Sequence, residues 1–363
     1  MNKIITFGEV MARLAPAGNL RLIQSMPGNL EVTFAGAEAN VAASLSILGA
    51  DAAFVSALPD NSIGQACINA LKGLGVDISG ILQTNTGRMG LYFLETGANQ
   101  RPGNVIYDRA GSSIGLTSAE QYPWKEIFDG ADWFHVSGIT PAVSRLAADA
   151  ALVAVESAKQ AGVTVSCDIN FRNKLWRWDP GQAPRDLAEK TMRRILPNVD
   201  VVIANEQDCA DVLGIKAGDT DVEAGKLQFE RYPDVARQVV KQFGNINKVA
   251  ITLRESLSAT HNNWGAMLYC ADSDKAYFAP MQNGVYTAYQ IKNIVDRVGG
   301  GDAFAAGLIY GFTTEDLKEP QTALDFGVAA SCLAHSIKGD FNYSTRQEVE
   351  KLMKGSGTGR VSR

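Results

Sequence analysis

The sequence predicts an α/β protein: a mainly parallel sheet with helices on both faces. Two observations carry that expectation. Short apolar runs alternate with helix-forming runs through most of the chain, the pattern of strand–helix–strand units. The length, 363 residues, suits one large α/β domain with an insertion, or two domains, and 46% hydrophobic with 20% charged residues is the composition of a globular chain.

In order, Ile4–Gly8 reads as a first strand. Glu38–Leu48 is a helix ending at Gly49, Ala52–Ser56 a strand, and Ile63–Leu74 a helix ending at Gly75. Trp133–Ser137, Val163–Asp168, Val199–Ala204 and Lys248–Thr252 are apolar strands, and Ser144–Ala161 is the clearest of the helices between them. Two regions break the rhythm. Residues 11–35 are strand-like with turn residues at Pro16, Gly18, Pro27 and Gly28. Residues 88–110 hold two β-rich runs around Tyr92 and Tyr107. These regions suit a small β lid over a substrate, or else edge strands of the main sheet. A lid apolar on both faces favours a homodimer or higher homo-oligomer. The domain is expected to span residues 1–354, with a polar surface excursion at 214–232 and a mobile Gly/Ser-rich tail at 355–363.

Composition narrows the function. The net charge is −5 with no basic block, which argues against nucleic acid as a partner. No apolar run approaches the ~18 residues of a membrane span, and the first residues read as a strand rather than a leader. The cytoplasm is the expected location. Five cysteines at 67, 167, 209, 270 and 332 form no Cys-x-x-Cys pair, so neither a disulfide framework nor a zinc ribbon is expected. Cys167, Cys332 and His135 sit in apolar runs and read as core residues. No G-x-x-x-x-G-K-[ST] and no G-x-G-x-x-G is present.

Four stretches carry chemistry. In Asp296-Arg297-Val298-Gly299-Gly300-Gly301-Asp302, three glycines lead into an acid that opens an apolar helix. Free amides at a helix start cradle an anion. An acid inside that cradle suits a base taking a proton from a hydroxyl that attacks a phosphate. The same residues also suit a tight turn with a first-turn acid. In Gly36-Ala37-Glu38-Ala39-Asn40, the glycine would let a polyol approach the backbone, and Asn40 offers a donor and an acceptor to hydroxyls. A plain helix start with Glu38 as its acid reads equally well. Asp168-Ile169-Asn170-Phe171-Arg172 falls where a parallel strand ends, the edge at which α/β sheets bind ligands. Arg172 can fork a carboxylate, and Arg109 can reach the same anion from the lid, unless both are solvated surface charges. In Asn205-Glu206-Gln207-Asp208, a carboxylate could hold Mg²⁺ through water, or Asn205 could simply cap a helix.

Taken in this order, the four stretches resemble the ribokinase-like (PfkB) carbohydrate kinase family over nearly the whole chain. Further likeness lies in Thr6-Phe7-Gly8-Glu9 with Arg13-Leu14 and in His135-Val136-Ser137-Gly138-Ile139. The resemblance implies a three-layer fold with a β lid, and ATP-dependent phosphorylation of the terminal hydroxyl of the sugar acid 2-keto-3-deoxygluconate. Asp302 would be the base and Gly299, Gly300 and Gly301 the anion hole. Gly36, Asn40, Tyr92, Tyr107, Arg109 and Arg172 would hold the sugar acid. Asn205, Ala334 and Lys338 would border the nucleotide, with the C-terminal helices around 334–340 beside the adenine, and Asp208 would hold Mg²⁺ through water. The chain departs from the family at several points. Gly300 replaces an alanine, and Arg297 stands where many members have threonine. Asp208 is one methylene shorter than the usual glutamate, and Ile251–Ser256 lacks a lysine–leucine–glycine reading. A kinase for fructose, ribose or a nucleoside, or a non-catalytic sugar or nucleotide sensor, are the competing readings.

Overall fold

A computed structural model describes residues 2–205, 207–216 and 229–355. Ten strands form the main sheet. Nine run in the order Lys275–Ala279, His261–Cys270, Lys248–Ser258, Val201–Asn205, Thr164–Asp168, Trp133–Ser137, Lys3–Phe7, Asp51–Pro59 and Ile81–Thr84. The tenth, Tyr289–Lys292, pairs with His261–Trp264. From Lys248–Ser258 to Ile81–Thr84 every neighbouring pair is parallel.

Both faces of the parallel strands are covered, so their residues are mostly apolar. The period of two still sorts them. Ile4, Val201, Ile203 and Ala250 pack with the helices Ala37–Leu48, Gly300–Thr313 and Pro320–Ala334. Ile5, Phe7, Val202, Val249 and Ile251 pack on the other face with Arg145–Gln160, Pro184–Ile195 and Tyr232–Gln242. Full burial of side chains such as Phe7, Phe134 and Phe304 stabilises the fold by about 1.5–3 kcal/mol each. His135 lies inside this core against Ser166 Oγ at 2.9 Å, and burial pushes its pKa down to about 3. All five cysteines are free thiols, and Cys332 alone is only partly buried.

The sheet is mainly parallel, as expected, with an antiparallel edge, because residues 259–260 turn the chain straight back from Lys248–Ser258 into His261–Cys270, and a tight hairpin can only pair antiparallel. One expectation is corrected: the excursion at 214–232 is shorter at its end. Phe229–Arg231 forms a helical turn and Tyr232, 2% exposed, begins a helix. Residues 217–228 of that stretch, and the tail beyond Gly355, lie outside the described residues.

The two regions that break the rhythm form a separate four-stranded sheet, in the order Glu31–Ala35, Met11–Ala15, Gly90–Glu95 and Asn104–Asp108. It leaves the main sheet directly after the first strand and returns at Gly36, where the helix Ala37–Leu48 begins. One inner-face residue ties it down. Arg13, 3% exposed, bonds both Asp296 and Asp340.

Candidate active site

The carboxyl ends of the parallel strands and the inner face of the small sheet enclose a cavity of about 390 Å³, within the size range of small-molecule sites. Strand ends bring Asp168 and Asn205 to it, with Thr252 level with Asn205 on the next strand. The small sheet brings Met11, Tyr92 and Tyr107, and the head of the helix Gly300–Thr313 brings Gly299, Gly300, Gly301 and Asp302.

The glycine turn has a steric cause. Gly299 takes φ 85° and precedes the helix with no side chain capping it. A Cβ there would stand 2.3 Å from the Asp340 carbonyl oxygen, and one at Gly300 would stand 2.9 Å from His335 Cε1. The alanine usual in the family at 300 would therefore press on His335 in this chain. At Gly301 a Cβ meets nothing. The first amide to close a helical bond is that of Ala303, to Gly299 O at 2.8 Å, so the amides before it are free to bind an anion.

Asp302 sits in the first turn of this helix, partly open to the cavity. Burial pushes its pKa up to about 7, with Asp340 and Glu38 adding to the rise; Asn40 and Arg172 act the other way. Asn40 Nδ2 donates to Asp302 Oδ2 at 2.6 Å. Its Oδ1 accepts from the Gly36 amide at 3.2 Å, so Asn40 holds the acid rather than standing free for a polyol. The reason for glycine at 36 also differs from the expected one. A Cβ there would lie 1.9 Å from the Glu9 carbonyl oxygen, so the helix start abuts the chain leaving the first strand. Glu38 is an acid of the first helical turn, as the alternative reading expected. It is fully buried and accepts from Ser137 N, Ser137 Oγ and Thr140 Oγ1 at 2.8–2.9 Å, and burial raises its pKa.

The two arginines expected at a carboxylate have different surroundings. Arg109 is buried and paired with Glu9 Oε2 at 2.5 Å, with its guanidinium over the Tyr107 ring at 5.7 Å. Its charge is already matched. Arg172 is exposed to the cavity, donates only to its neighbour's Phe171 O at 2.9 Å, and has no acid at ion-pair distance among the described residues. Tyr92 is buried, and its hydroxyl donates to Asp340 Oδ2 at 2.8 Å.

Asn205 Oδ1 accepts from the amides of Gln207 and Asp208, and Asp208 accepts from those of Phe171 and Asn205. Both therefore cap local backbone as well as lining the cavity. Burial raises the pKa of Asp208, and that of Asp168 still more, where Asp208 and Asp302 add to it. Among the described residues no three acids, histidines or cysteines stand close enough to cage a metal. Asn170 Oδ1, however, is buried beside this pair without a partner. That donor set fits magnesium, which keeps much of its water and binds through one or two carboxylates and substrate phosphates.

Two expected nucleotide residues do not line the cavity. Ala334 ends its helix elsewhere, and Lys338 pairs with Glu31 of the small sheet. Their neighbours His335 and Asp340 face the cavity instead, with Arg254, Asn262, Trp264 and Arg297. His335 and Asp340 fall within the segment 334–340 expected to border the nucleotide; sequence reasoning assigned the other four no role. Arg297 and Arg254 did stand out there as departures from the family pattern.

Residues 1–345 match the family model described as pfkB family carbohydrate kinase. A solved structure titled 2-dehydro-3-deoxygluconokinase, from Thermotoga maritima, is 42% identical with a TM-score of 0.87, covering 98% of this chain and 100% of that one. A 2-dehydro-3-deoxygalactonokinase from Haloferax volcanii is 31% identical over 98% of this chain and 98% of its own length. A 2-dehydro-3-deoxygluconokinase from Bacillus subtilis is 27% identical over 98% of this chain and 96% of its own.

Proposed function

The chain belongs to the PfkB family of carbohydrate kinases, and from that premise we propose that it transfers the γ-phosphoryl group of ATP to the terminal hydroxyl of 2-keto-3-deoxygluconate (2-dehydro-3-deoxygluconate). The observation that carries the reading is Asp302 at the mouth of an uncapped glycine turn, in a cavity where Arg172 has no acid partner. The named relatives at 42% and 31% identity support the sugar-acid class.

In this reading the free amides of the 299–301 turn hold the γ-phosphoryl oxygens. Asn40 fixes one oxygen of Asp302 and leaves the other to face the substrate hydroxyl. That hydroxyl forms the new O–P bond as the bond from phosphorus to the β–γ bridging oxygen breaks. ADP leaves, and the hydroxyl proton passes to Asp302. Positioning and preorganised charge supply most of the acceleration. Asp208 and Asp168 would hold Mg²⁺ through water, and the ion would offset charge on the phosphates. Arg172 binds the sugar carboxylate. Tyr92, Tyr107 and Arg109 form the wall beneath it, with Arg109 acting through Glu9.

The test is an ADP-release assay with Mg-ATP on 2-keto-3-deoxygluconate, its C4 epimer of the galactonate series, fructose and ribose. Turnover confined to the keto-acids supports the reading, and the ratio of the two epimers assigns the stereochemistry on which the two relatives differ. Preference for a neutral sugar overturns it.

The small sheet supports a homodimer. Val32, Leu14, Phe93 and Ile106 lie in one register row across all four strands. Val32 is 60% and Ile106 48% exposed, an apolar row that a second copy would cover. Val32→Lys with Ile106→Lys should give monomers by light scattering. Five free thiols and the use of ATP support a cytoplasmic location.

A further inference from the structure

Besides Arg172, two guanidiniums at this cavity have no ion-pair partner among the described residues. Arg254 lies on the strand Lys248–Ser258, directly opposite Trp264 on the antiparallel neighbour. Arg297 stands two positions before Gly299 and donates to Ser256 Oγ at 3.0 Å and Asn262 Oδ1 at 3.1 Å. Ser256 and Asn262 are themselves a register pair of the same hairpin. The hairpin thus carries one guanidinium and holds the other, and both stand at the cavity beside the glycine turn. Among the described residues neither has a carboxylate at ion-pair distance, whereas Arg13 has two and Arg109 has one. Burial lowers the Arg297 pKa, and the charge on Arg254 lowers it further.

The neighbouring donors are unmatched too. Trp264 and Asn262 line the same cavity and are at least nine-tenths buried, and their Nε1 and Nδ2 have no acceptor. Native proteins rarely leave buried donors unpaired. Two like charges brought together beside two orphaned donors suit a ligand that is all acceptor and multiply negative. A single carboxylate is too small for that, and Arg172 already stands free for it. A chain of phosphates offers many acceptor oxygens, and arginine forks match phosphate geometry.

We infer that Arg254 and Arg297 clamp the phosphate chain of the nucleoside triphosphate, so that the hairpin and the glycine turn grip it together. The inference rests on the kinase reading above and adds two binding residues to it. It also gives the two departures from the family pattern one shared purpose.

The test uses inorganic tripolyphosphate as the probe, titrated calorimetrically into the full-length protein, Arg254→Met, Arg297→Met and Arg297→Lys. Each Met variant should bind tripolyphosphate about 10-fold or more weakly, the loss expected of a charge-assisted hydrogen bond. Arg297→Lys should recover only part, because lysine keeps the charge and loses the fork. In the assay the KM for ATP should rise while the KM for the sugar acid holds. Arg254 is exposed and its side chain makes no hydrogen bond or ion pair among the described residues, so Arg254→Met keeps the fold and decides the matter. Unchanged tripolyphosphate affinity in that variant, or a KM rise on the sugar acid instead, overturns the inference. The titration does not depend on which sugar is phosphorylated, so it stands or falls separately from the substrate assignment.

Discussion

Asn40 and Asp302, 262 positions apart in sequence, are joined by a 2.6 Å hydrogen bond from Asn40 Nδ2 to Asp302 Oδ2. The bond links the first turns of two helices packed on the same face of the sheet. It favours the ionised carboxylate and works against the burial that raises its pKa. Asn40→Leu keeps the volume and removes the donor. The acid limb of the kcat/KM profile should then move to higher pH, with the plateau reached later. A limb that stays in place would show that Asn40 does not tune the base.

The same acid sets the pH dependence of the wild-type enzyme. A base acts ionised, and burial holds Asp302 near 7 rather than in the usual carboxylate range. Below about pH 7, kcat/KM should fall close to tenfold per pH unit, as expected when one group must lose a proton. Above that pH it should level off. A profile flat down to pH 5 would mean that no group of this pKa takes part.

Asp302→Asn leaves the shape and removes the basicity. The expected loss in kcat is roughly 10²–10⁴-fold, the usual worth of a general base, with far-UV circular dichroism unchanged. Full activity in this variant would remove Asp302 from the reaction.

Arg172 separates substrates. It has no acid partner to release and no fold to hold, since its one hydrogen bond is to an adjacent backbone carbonyl. Arg172→Ala should therefore raise KM for the sugar acid by about 10–100-fold, the worth of a charged hydrogen bond. The weaker turnover of fructose should hardly change. Equal losses on both would show that Arg172 does not read a carboxylate.

What could be read from the sequence follows the range of the interactions. The turn at Gly299–Asp302 and the helix start at Gly36–Asn40 are local patterns, so residue order alone exposes them. The parallel strands are legible because burial on both faces leaves apolar runs. The strand His261–Cys270 went unread: Asn262, Asn263 and Gly265 interrupt its apolar residues, and only pairing on both sides makes it a strand. Pairings across the chain were out of reach. Nothing near Arg109 marks Glu9 as its partner, 100 positions away, and nothing near Lys338 marks Glu31. Arg254 and Arg297 stood out only as departures, because what they share is a hairpin that brings them to one rim.

Arg13 gives the strongest stability prediction. It is buried between Asp296 and Asp340, and it fastens the small sheet to the segments on either side of the glycine turn. Asp296 in turn accepts from the amides of Val298 and Gly339. Burial opposes the charge on Arg13, but Asp340 and Asp296 outweigh it and hold its pKa above the ordinary value. Arg13→Met fills the same space and strands two carboxylates. Breaking a buried pair from one side costs about 3–5 kcal/mol, which urea denaturation at pH 8 should show. The deficit must also depend on pH, and its sign is fixed. Burial already raises the Asp340 pKa despite Arg13, and removing the cation raises it further. A carboxyl with a raised folded-state pKa favours the native state at low pH and loses that advantage as pH climbs through the folded value. The gap between variant and wild type should therefore narrow as pH falls from 8 toward 5. A gap that stays constant across that range would mean the stranded charges are not what destabilises the variant.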